Sequence, residues 1–248
     1  MNYKSISFYL SLFCFPISIL AFINILYSSY FDYFLSINSY ITTLIFSLII
    51  GSSLFYLGKK SVKKINFIDQ LILIILVYII VSILLSLPFY LSNYQVTFLN
   101  SFFESVSGVT GTGFSTFKNI KYLDPTLILW RSSSQWIGGL YFLFFLFFIF
   151  SNKQFKYKMT DLTFSGDIRT SSEISIKDFM IKMFIIYSSL TFFIFLLLNF
   201  SDVRMFNSLN LSMSLISTGG FLPTNSLDKI IVSNSQKIIF IFSLLISL

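Results

Sequence analysis

The chain has 248 residues, of which 55% are hydrophobic, 20% aromatic and only 11% charged, where a soluble domain carries roughly a quarter charged. That balance excludes an ordinary soluble domain and indicates an all-α polytopic membrane protein. With no His and one Cys, the chain lacks the commonest general base and metal ligand and any internal disulfide. Its net charge of +7 comes largely from Lys and Arg gathered between apolar runs, where they orient the chain, so no nucleic-acid partner is implied.

In chain order, residues 7–27 form a first apolar run. Only Lys4 precedes it and no small-x-small site follows, so it reads as a span rather than a cleaved signal. A second span covers 39–57, and the connection 58–66 carries Lys59, Lys60, Lys63 and Lys64. The third, 67–92, is expected to break near its end at Pro88. A short amphipathic segment, 97–108, then closes in a Thr/Gly turn. Asp124-Pro125 reads as a turn and helix start, opening a fourth span over 126–150. Within it Trp130 and Trp136 read as interfacial anchors. Gly138 and Gly139 suit close helix packing, with a direct pore role as the alternative. A polar loop at 151–176 carries Lys153, Lys156, Lys158 and Arg169. A fifth span, 178–199, is followed by a second short segment, 204–216. The last apolar stretch, Ile238 to Leu248, is too short to cross a hydrocarbon core of about 30 Å, which reads as a truncated span.

The positive-inside rule places the 58–66 and 151–176 loops in the cytoplasm together with the N-terminus. Both short segments then fall on the outer side, as re-entrant segments rather than crossings. They also resemble each other. Asn100-Ser101 … Ser105-Val106-Ser107 … Gly113-Phe114 matches Asn207-Ser208 … Ser212-Met213-Ser214 … Gly220-Phe221 without a gap. Irregular backbone at membrane depth is tolerated where it is buried in protein or lines water, and an ion filter gives a reason to keep it, because carbonyl oxygens replace the hydration shell. The helices before the turns would aim partly negative C-termini at a cation. Thr110, Gly111, Thr112 and Gly113, with Ser217, Thr218, Gly219 and Gly220, are therefore the candidate ion-binding residues. A glycine cap on the outer surface is the blander alternative. Glu104 and Arg131 are charges at membrane depth, where pairing is usual, and are expected to brace the first loop.

The string Phe102 to Phe114, followed by Trp130-Arg131 and Gln135-Trp136-Ile137-Gly138-Gly139, resembles the Trk/Ktr/HKT potassium transporter superfamily, and most of all the bacterial Trk membrane subunit. Ile216-Ser217-Thr218-Gly219-Gly220-Phe221 is similar to that family's second filter segment. The resemblance implies helix–pore loop–helix repeats of the potassium-channel-like type, four around one pore, preceded by two extra transmembrane helices. The units would be 1–66 for the N-terminal pair, 67–152 for the first repeat, 153–176 for a cytoplasmic loop and 177–248 for a second repeat cut short. It further implies potassium uptake at a bacterial cell membrane, no cofactor beyond the transported ion, a homodimer and a cytosolic nucleotide-binding regulatory subunit. Gly113 argues for potassium over sodium. The first filter departs from the commoner Thr-Thr-Thr-Gly, and Gly111 is expected to loosen it. A non-conducting remnant or assembly subunit is the alternative function. An intramembrane enzyme would need a Ser/His pair, paired carboxylates or a metal cluster, and the sequence offers none.

Overall fold

The computed structural model describes residues 2–33, 36–61, 65–150 and 176–247. Lys63 and Lys64, and the loop residues Lys153, Lys156, Lys158 and Arg169, lie outside the described residues. The elements are α1 (Tyr3–Tyr30), α2 (Ile37–Gly58), α3 (Phe67–Tyr90), α4 (Phe98–Val109), α5 (Pro125–Phe150), α6 (Ile176–Phe200), α7 (Met205–Ile216) and α8 (Asn234–Ser247). Single 3-10 turns, Ile120–Tyr122 and Leu227–Lys229, sit in the loops after α4 and α7. No strand occurs among the described residues. Five helices, α1, α2, α3, α5 and α6, are long and apolar enough to cross a membrane.

The N-terminal pair packs along its whole length. A Cβ on Gly58 would run into the Phe8 backbone, and one on Gly51 would sit 3.1 Å from the Phe15 ring. Small residues let two membrane helices approach closely, where contact area rather than hydrophobicity drives association. α1 also touches α3 and α5, so the pair rests on the first repeat.

Two helices run through prolines. α3 continues past Pro88 to Tyr90 instead of breaking, and α1 continues through Pro16. Proline removes one ladder donor and crowds the preceding turn, which leaves the carbonyl four residues earlier, Leu12 or Leu84, without its ladder partner. In both places α5 donates to the next carbonyl along. Tyr141 Oη donates to Phe13 O at 2.6 Å, and Trp130 Nε1 donates to Leu85 O at 3.0 Å. Each acceptor lies three residues before its proline. Trp130 is fully buried and packs at a tilt against Tyr40, with ring centroids 5.6 Å apart. It is therefore an interior donor and not the interfacial anchor its residue type suggested. Trp136 also faces protein, donating from Nε1 to Thr191 Oγ1 at 3.0 Å.

Candidate functional site: two adjoining loops

The helices α4 and α7 have 12 residues each. At 1.5 Å per residue they span about 18 Å, well short of a bilayer core of about 30 Å. Each enters between long helices, α4 against α3 and α5, and α7 against α5 and α6. Thr97 caps α4 by accepting from Asn100 N at 3.4 Å. α7 has no side-chain cap at Arg204.

The chain leaves both helices in the same way, 107 residues apart. Gly111 N returns to Gly108 O at 3.1 Å, and Thr218 N returns to Leu215 O at 2.8 Å. Ser107 O receives Thr112 N at 3.1 Å, and its counterpart Ser214 O receives Gly219 N at 2.8 Å. The hydroxyls of these two serines hold the loops further along: Ser107 Oγ donates to Phe114 O at 2.6 Å, while Ser214 Oγ accepts from Gly220 N at 3.1 Å. The backbone repeats as well. Gly111 (φ +71°) corresponds to Thr218 (φ +50°), and Gly113 (+75°) to Gly220 (+139°). Gly111 thus answers a left-handed position that a Thr fills under strain in the second copy, and its presence has a cause other than loosening the loop.

The two loops lie side by side. A Cβ at Gly113 would stand 3.0 Å from Gly219 O and from Gly220 Cα, and one at Gly111 would be 3.5 Å from Ser217 O. The structure thus brings together all eight sequence-predicted loop residues. Among the described residues no donor reaches the carbonyl oxygens of Thr110, Gly111, Thr112, Gly113, Thr218, Gly219 or Gly220; Ser217 O receives the Thr218 hydroxyl at 2.8 Å. Thr110, Thr112, Phe114, Thr218 and Gly220 are exposed along the shared edge. Beneath the second loop, a cavity of about 450 Å³ is lined by Gly139, Leu143, Tyr187, Ile216 and Thr218 among others.

Behind the first loop sits an ion pair. Arg131 Nε meets Glu104 Oε1 at 2.7 Å, with both side chains buried. The carboxylate also accepts from Thr116 N at 2.8 Å and from the hydroxyls of Ser115 and Thr116 at 3.0 to 3.2 Å. Arg131 reaches the second loop as well: one terminal nitrogen donates to Leu222 O at 3.3 Å, and the guanidinium lies 4.2 Å from the Phe221 ring centroid. A buried charge pair is tolerable when its remaining donors and acceptors are used, and here the loop backbone uses them.

The glycines of α5 pack against loops as much as helices. A Cβ at Gly138 would overlap the Val109 backbone, and one at Gly139 would come within 2.9 Å of Ser217 Cβ and 2.6 Å of Tyr187 Oη. The site residues that sequence reasoning missed are Ser115, Thr116 and Gln135, and the specific work of Ser107 and Ser214. The repeated Ser-x-Ser pair was the available signal for the serines. At the N-terminal end of α5, Asp124 is buried. Burial raises its carboxyl above the ordinary 3.8, and neither carboxyl oxygen has a hydrogen-bond partner among the described residues.

Five membrane-length helices interleaved with two short, loop-terminated ones among the described residues define a multi-span helical membrane protein. Residues 36–247 match the family model of the TrkH cation transport proteins, and the chain belongs to that family, one of transporters and not of enzymes. It is 29% identical over 167 residues to an uncharacterized cation transporter of Methanocaldococcus jannaschii, covering 63% of this chain and 34% of the relative. It is 33% identical over 102 residues to the Trk system potassium uptake protein TrkG of Escherichia coli, covering 41% and 21%. The crystal structure of the potassium transporter TrkH from Vibrio parahaemolyticus superposes with a TM-score of 0.81 at 21% identity, over 99% of this chain and 50% of that one. The chain thus spans about half the length of that transporter.

Proposed function

We propose that this chain contributes two carbonyl-lined segments, Thr110 to Gly113 and Ser217 to Gly220, to the selectivity filter of a potassium uptake protein in the cell membrane. The observation that carries this is the pair of adjoining loops, each at the C-terminal end of a short helix, in which seven of the eight carbonyls have no donor among the described residues. Thr110, Thr112, Thr218 and Gly220 are exposed along the shared edge, so their carbonyls are free to replace part of a cation's hydration shell, and the ends of α4 and α7 add partial negative charge there.

The Glu104–Arg131 pair acts as a brace in this reading, because its remaining bonds end on the two loops, at the backbone of Thr116 and Leu222 and the hydroxyls of Ser115 and Thr116. The N-terminus lies in the cytoplasm, in keeping with Lys59 and Lys60 at the inner end of α2. Potassium uptake by the complete gene product in cells lacking their own uptake systems tests the proposal. Growth at low potassium is expected with the unaltered protein and is lost with Gly113→Ala or Gly220→Ala. Rescue that survives both substitutions would overturn it.

A further inference from the structure

The second loop is held by a helix outside its own repeat. Phe221 N donates to Gln135 Oε1 at 3.1 Å, and Ser214 Oγ donates to the same oxygen at 2.8 Å while accepting from Gly220 N at 3.1 Å. One amide oxygen on α5 thereby terminates the donors that set the path of Ser214, Gly220 and Phe221. The Gln135 amide lies flat on Gly219, where a Cβ would stand 2.7 Å from its nitrogen and closer still to its carbon and oxygen. Its orientation follows from Phe221, whose N–H can only donate and so requires the oxygen.

Gln135 is fully buried, and its Nε2 has no partner among the described residues. A side chain kept only to fill space would be apolar there, because an orphaned buried donor is costly. The residue is explained by its oxygen. α8 offers no substitute, since Ile238 and Phe242 stand 107 residues beyond Arg131 and Gln135.

We propose that Gln135 is a positioning residue whose side-chain oxygen sets the spacing of the carbonyls from Thr218 to Gly220, and with it the discrimination between potassium and sodium. This rests on the filter reading of the two loops. The first repeat then controls the shape of the second repeat's segment directly.

The test is the potassium-to-sodium flux ratio of the complete gene product in proteoliposomes. Gln135→Met keeps the volume and removes the acceptor; Gln135→Glu keeps an oxygen at the same reach. The Met variant is expected to lose about tenfold in the ratio, the factor that goes with one buried hydrogen bond, while the Glu variant retains most of it. A Met variant with an unchanged ratio, or a Glu variant falling as far as Met, would overturn the proposal. If the Met variant does not fold, Ser214→Ala replaces it, with a smaller loss expected and an unchanged ratio overturning. Gly220→Ala separates the two ideas. If it shifts the ratio and Gln135→Met does not, the positioning role fails alone; if neither shifts it, the filter reading fails.

Discussion

Removing one member of the Glu104–Arg131 pair leaves the other charged and buried. Arg131 and Glu104 expose 1% and 0% of their side chains and meet at 2.7 Å, so solvent can neither screen the contact nor replace it. Breaking such a pair from one side costs about 3–5 kcal/mol, more than the pair itself contributes. Glu104→Gln should lose about that much, since Arg131 keeps only neutral acceptors, the new amide oxygen with Ser115 and Leu222, and no negative charge. Arg131→Gln should lose a similar amount, since the carboxylate keeps Ser115 and Thr116 but no positive charge. The double substitution removes both charges together and should cost little more than the larger single loss, a coupling of about 3 kcal/mol. Equilibrium unfolding of the four proteins in mixed micelles measures the cycle. Losses that simply add would refute the reasoning, because they would mean that each charge is solvated on its own.

Gly138→Ala places a methyl group into the Val109 backbone at the end of α4. Overpacking of this kind costs about 1–3 kcal/mol, and a lowered melting temperature with disturbed transport is expected by fluorescence-detected gel filtration and flux assays. Asp124 gives a pH signature. Because burial raises its carboxyl above 3.8 in the folded protein, its contribution is fully present below 3.8 and is lost as pH rises through the higher folded value. Thermal melts across that interval should show stability falling with pH from this group, and Asp124→Asn should flatten the slope; an unchanged slope would contradict it.

What the sequence made legible followed from local chemistry. Apolar runs mark α1, α2, α3, α5 and α6 because length and hydropathy alone decide whether a helix can cross. The two loops were visible because Ser107 and Ser214, and Gly113 and Gly220, recur at one interval in one context. Glu104 and Arg131 drew attention as isolated charges at membrane depth, and their meeting across 27 residues needed only the expense of leaving either alone.

The remainder depended on contacts between distant segments. Trp130 looked like an interfacial anchor because its residue type often is one; its true partner, Leu85 O, is a carbonyl next to a proline on another helix. Pro88 was expected to break α3 near its end, and the helix instead runs through it to Tyr90. The work of Gln135 was hidden because its partners Ser214 and Phe221 lie 79 and 86 residues away. The role of Gly111 became clear only from its φ of +71°, shared in sign with Thr218.

The central claim is that the carbonyls of these two loops select the ion, and the most direct measurement is the potassium-to-sodium permeability ratio of the complete gene product with Gly113→Ser. A Cβ at that position meets Gly219 O and Gly220 Cα at 3.0 Å, and must also accept a positive φ, so the substitution disturbs both loops at once. The account predicts a ratio lowered by at least about tenfold, equal to about 1.4 kcal/mol of lost discrimination, with cation flux retained. Flux with an unchanged ratio would contradict it.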